Sequence, residues 1–83
     1  MKHSILIIED DPALLFGLKE NFSMAGYDVR TADNGNCGLK EALNNPPNLI
    51  LLDVMLPGKN GYEVCREIRN RHLEVPIIML IAK

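Results

Sequence analysis

The sequence lacks any apolar run near the roughly 18 residues that a membrane-spanning helix requires, so no membrane segment is expected. No small-residue cleavage site follows the first apolar stretch, which runs into Glu9-Asp10-Asp11 and so does not read as a secretory signal. Basic residues are not in excess. The formal net charge is −2, which argues against nucleic-acid binding through this segment, since that needs a basic face. Cysteine is scarce as well. Cys37 and Cys65 lie in helix-like patterns with neither CxxC nor Cys/His spacing, so both read as small packing residues in a reducing, cytoplasmic protein. Internal repeats, linkers and low-complexity segments are also lacking.

What is present suits one α/β unit. The chain has 83 residues, 47% hydrophobic and 24% charged, enough for one domain at most. A chain of this size buries only about 60–65% of its unfolded surface. Ile5-Leu6-Ile7-Ile8, Leu49-Ile50-Leu51-Leu52 and Ile77-Ile78-Met79-Leu80-Ile81 are continuous aliphatic runs, as expected of parallel strands covered by helices on both faces. A weaker strand is expected over 28–32. Asp11-Pro12 reads as a helix cap followed by proline in the first turn. Leu15, Leu18, Phe22 and Ala25 recur at helical spacing, and Gly26 is a stop. Further helices are expected over 36–44, with Leu39 and Leu43 on one face, and over 61–71, with Val64, Cys65 and Ile68 inward. The order βαβαβαβ calls for a parallel sheet with right-handed crossovers.

In such sheets the ligand site lies beyond the carboxyl ends of the strands, where strand order reverses. Glu9-Asp10-Asp11 follows the first strand and Asp53 ends the third. If those strands are neighbours, as in a flavodoxin-like order, the carboxylates share one pocket. Carboxylates crowded together repel unless protonated or neutralised by a cation, and an all-oxygen set suits Mg²⁺. An aspartate there can act as a nucleophile and become an acyl phosphate. Each acid alone is equally at home as a helix cap or strand-end charge; the combination is the specific signal.

The stretch Ile5-Leu6-Ile7-Ile8-Glu9-Asp10-Asp11-Pro12 resembles the opening of the response-regulator receiver domains of two-component signalling. The stretch from Pro47 through Asp53 to Gly58 resembles their phosphoacceptor segment, and Gly61 and Val75 to Leu80 fit as well. The resemblance covers essentially the whole chain. It implies a flavodoxin-like sheet of order 2-1-3-4 and Asp53 as the phosphorylated residue. It further implies Mg²⁺ held by Asp10, Asp53 and the backbone carbonyl of Met55, with Glu9 acting through a metal-bound water. Pro57 and Gly61 would shape the following loop, on which Lys59 and Asn60 read as solvated. A histidine kinase or phosphotransfer protein would be the partner. Chemistry would be limited to the domain's own phosphotransfer.

Two departures stand out. Where the family carries Thr or Ser near the end of the fourth strand, this chain has Ile81, which has no hydroxyl to bond a phosphoryl oxygen. The family's fifth strand, its terminal lysine and the last two helices have no counterpart in residues 1–83, and Lys83 falls too early to be that lysine. The expectation is therefore an incomplete receiver with impaired switching. Its all-apolar fourth strand would be left as an edge and aliphatic surface over the first and third strands would be uncovered, so that either the chain pairs with a second copy or the sequence is a fragment of a longer protein. The competing reading is a degenerate module that associates without phosphorylation. An Asp-nucleophile phosphohydrolase is disfavoured because Met55 stands where such enzymes place a second aspartate. His3 and His72 lie at the far end of the sheet and at a helix end, respectively, and rescue no enzyme.

Overall fold

A computed structural model describes residues 2–80. Ile81 and Lys83, and with them the expectations that concern them, lie outside the described residues. The elements are β1 (Ser4–Ile8), α1 (Pro12–Met24), β2 (Asp28–Ala32), α2 (Gly35–Asn44), β3 (Leu49–Asp53), α3 (Gly61–Asn70) and β4 (Ile77–Leu80). All strand pairs are parallel, in the order β2-β1-β3-β4. The flavodoxin-like order expected from the sequence is the one observed.

Strand alternation divides the sheet into two layers. Leu6, Ile8, Ile50 and Leu52 face α2 and α3 and join Ala42, Val64 and Ile68 in the larger core cluster. Ile5, Ile7 and Leu51 face the other way, under Leu15, Leu18 and Phe22 of α1. The expectation of uncovered aliphatic surface over β1 and β3 is corrected for Ile5, Ile7 and Leu51, which are buried in a cluster completed by side chains of α1 and by Val29, Leu49 and Leu80. Ile78 of β4, paired with Leu51, is the exposed aliphatic strand residue on this side. No residue of α1 is itself buried, and Ala25, read as an inward position, is the exposed C-cap. Cys65 packs against the larger cluster, but Cys37 is exposed. The buried positions of α2 are Gly35, Gly38 and Ala42, which leaves Cys37 on the opposite face.

Local signals account for the helix ends. Asp11 caps α1, its Oδ1 accepting from the Ala13 N–H at 3.0 Å, and Pro12 occupies the first turn, where no N–H partner is needed. At the other end Gly26 takes φ 102, and the Tyr27 and Gly26 N–H groups donate to Phe22 and Ser23 carbonyls at 3.1 and 3.0 Å. This is a Schellman motif, and the Phe22 and Tyr27 rings meet edge-on across it at 5.9 Å.

Candidate functional site

The register of β1 and β3 assembles the site. Ile8 pairs with Leu52, so one step further along the two strands Glu9 lies beside Asp53. Both share the parity of Ile5, Ile7 and Leu51, and both are buried, Glu9 at 2% and Asp53 at 3% exposure. Asp10 follows in the turn and is exposed. Carboxylate oxygens of Glu9, Asp10 and Asp53 lie within 4.8 Å of one another.

Among the described residues few donors serve these acids. Glu9 Oε2 accepts from the Asp11 N–H at 2.9 Å, while Glu9 Oε1 is buried without a partner among them. Burial is the main cause that pushes the Glu9 carboxyl above the usual range; the Asp11 N–H offsets part of it, and the charges of Asp53 and Asp10 add to it. Asp53 Oδ1 accepts from the Met55 N–H at 3.3 Å. An all-oxygen donor set with one orphaned buried oxygen fits a hard divalent cation.

The remaining predicted residues frame the acids. Met55 is 71% exposed, and its backbone N–H is the group held near Asp53. Pro57 is exposed on the loop, and Gly61 is buried at the start of α3. A Cβ on Gly61 would lie 2.8 Å from Val54 Cα and would also collide with the Asp53 carbonyl oxygen. Gly61 is therefore the residue that lets α3 start against the Asp53–Val54 backbone at the end of β3. The Gly61 and Leu56 N–H groups both donate to the Val54 carbonyl, at 2.9 and 3.1 Å, and close the loop on itself.

Two loop residues read as solvated have partners. Asn60 caps α3: its Oδ1 accepts from the Glu63 N–H at 3.0 Å, and its own N–H donates to Glu63 Oε1 at 3.0 Å. The spacing Asn60-x-x-Glu63 is the capping-box pattern and was there to be read. Lys59 is half-buried and forms an ion pair with Glu67, two turns into α3, which loop composition does not signal.

The comparisons agree with this geometry. The model of the response regulator receiver domain family matches residues 5–83. The chain belongs to that family. It is 45% identical over all 83 residues to the alkaline phosphatase synthesis transcriptional regulatory protein PhoP of Bacillus subtilis, and it spans 35% of that protein's length. The N-terminal domain of a response regulator receiver protein from Methanoculleus marisnigri superposes with a TM-score of 0.91 at 30% identity, covering 98% of this chain and 68% of that one. A response regulator from Chloroflexus aurantiacus gives 0.90 at 34% identity, over 95% and 66% of the two chains. This chain is thus a receiver domain of the two-component type, a signalling module. Among the described residues no helix is long and apolar enough to cross a membrane.

Proposed function

We propose that this receiver accepts a phosphoryl group on Asp53 in a Mg²⁺-dependent transfer from a histidine kinase or phosphotransfer protein. The observation that carries the reading is the meeting of Glu9, Asp10 and Asp53 at the carboxyl ends of adjacent strands. Asp10, Asp53 and the Met55 carbonyl would hold the cation directly, and Glu9 through a water. Mg²⁺, when bound, would neutralise the crowded carboxylates and screen an incoming phosphoryl group.

The chain's own contribution is positional. The Asp53 carboxylate supplies the nucleophile: an O–P bond forms to it as the donor's bond to phosphorus breaks, and the departing group takes the electron pair. The Met55 N–H steadies Oδ1, and Pro57 and Gly61 fix the loop that presents the Met55 carbonyl. Ile81 offers no hydroxyl to the product, so the readout of phosphorylation would be weakened.

The test is incubation with Mg²⁺ and acetyl phosphate followed by intact mass. Added mass of one phosphoryl group, lost with Asp53→Asn and with a chelator, is the expected result. No added mass in a folded sample would sink the reading.

A second reading is favoured by one observation. Ile78 on β4 is 51% exposed, and among the described residues β4 pairs only with β3. For a protein of these 83 residues alone, this supports association with a second copy along β4, independent of phosphorylation. Light scattering on the same samples separates the two: a mass of two chains with and without acetyl phosphate supports it, and one chain throughout removes it.

A further inference from the structure

The loop from Val54 to Asn60 is gripped from two sides. On one side lies α3, through the Asn60–Glu63 capping box and the Lys59–Glu67 ion pair. On the other lies the first turn of α2. A Cβ on Gly35 would lie 2.8 Å from the Lys59 carbonyl carbon and 3.0 Å from its Cβ, and would overlap the Lys59 carbonyl oxygen. Real Cβ contacts of that kind do not occur with backbone atoms in place, so the helix or the loop would have to move.

The helix has little room to yield. A Cβ at Gly38, one turn on, already meets Ile8 side-chain carbons at 2.5 and 2.8 Å, and the Asn34 side chain ties the first turn by accepting from the Cys37 N–H at 2.8 Å. The yielding part is the loop, which Val54 and Gly61 pinch into a closed segment beginning directly after Asp53. Displacement at Lys59 is therefore passed back toward Met55.

We propose that Gly35 is a positioning residue for the cation site, holding the loop after Asp53 through its close approach to Lys59, with the Lys59–Glu67 pair as the opposing grip. The proposal rests on the phosphoacceptor reading above. Residues that orient ligands without touching the metal commonly change affinity by about 10–100-fold.

The experiment measures Mg²⁺ affinity by amide resonances in the intact protein, for wild type, Gly35→Ala, Glu67→Gln and Gly17→Ala. Gly17 has open space around it, so its alanine variant controls for adding a methyl to a helix. Mg²⁺ binding about tenfold weaker in Gly35→Ala, weaker also in Glu67→Gln and unchanged in Gly17→Ala, is expected. The metal-free Met55 and Lys59 amide resonances should shift in the first two variants, which a loss of general stability would not produce. A folded Gly35→Ala that binds Mg²⁺ like wild type overturns the proposal, even if it melts earlier. Should Gly35→Ala fail to fold, Glu67→Gln decides, and unchanged Mg²⁺ binding there overturns it. A wild type that takes up no Mg²⁺ overturns the phosphoacceptor reading as well, which distinguishes the two failures.

Discussion

Glu9 is the residue at which local stability and the proposed function conflict. The residue is 2% exposed, one carboxylate oxygen has no partner among the described residues, and Asp53 and Asp10 are close by. A buried acceptor without a partner costs about 1–3 kcal/mol, so without a cation the group works against the fold. Glu9→Gln should therefore stabilise the metal-free protein at neutral pH by about 1–2 kcal/mol, because the amide carries no charge and can donate to a neighbouring carboxylate. The pH dependence has a definite sign. The folded protein holds the Glu9 proton more tightly than the unfolded chain, since the folded pKa is raised. The stability this group contributes is complete below its unfolded pKa and is lost as pH rises through the raised value. Chemical denaturation of the two proteins across the acid range should show the gap widening with pH, and Mg²⁺ should narrow it. A gap that does not vary with pH would refute the assignment. The sequence showed that Glu9 and Asp53 stand at strand ends; it did not show that Glu9 would be buried with an orphaned oxygen, which depends on strand register and neighbouring turns.

At the scale of elements, the two helix ends closed by Schellman motifs differ in one residue. After α1 the left-handed position is Gly26; after α3 it is His72, at φ 63. The His72 and Leu73 N–H groups donate to Arg69 and Ile68 carbonyls at 3.0 and 3.2 Å, and Leu73 packs against the larger core cluster beside Ile68. The motif is thus complete, but its left-handed residue carries a Cβ, and His72 is exposed. His72→Gly should raise stability by about 0.5–1 kcal/mol, a few degrees in Tm for a chain this small, without touching the acidic site. An unchanged or lower Tm would show that the histidine side chain contributes more than its backbone strain costs. The stop after α1 was legible because glycine announces itself. The stop after α3 was legible only to within a residue, since histidine gives no such signal. Asn60 shows a signal present but passed over, its capping box hidden by a reading of the segment as loop.

At the scale of the whole molecule, strand order followed from the sequence through its resemblance to receiver domains; the three continuous apolar runs and the two acidic strand ends fit that order without dictating it. The unequal depth of the two layers did not follow, because periodicity marks which face of a helix is apolar and not how far it sinks. The α2/α3 layer contributes fully buried Ala42, Val64 and Ile68, whereas α1 contributes only half-buried side chains and leaves Phe16 and Met24 at 65% and 83% exposure. Removing buried methyl groups costs about 2–5 kcal/mol for Ile to Ala, against a stability of about 5–15 kcal/mol for a typical domain. A small chain sits near the lower end of that range. Ile68→Ala is therefore expected to remove roughly half or more of the stability, while Leu18→Ala, half-buried on α1, should cost less and keep a cooperative melt. Native-state hydrogen exchange gives the same asymmetry without mutation: α1 amides should open at lower free energy than those of β1, β3 and α3. Equal protection of α1 and α3 would mean that the α1 layer is held by more than the half-buried side chains described above.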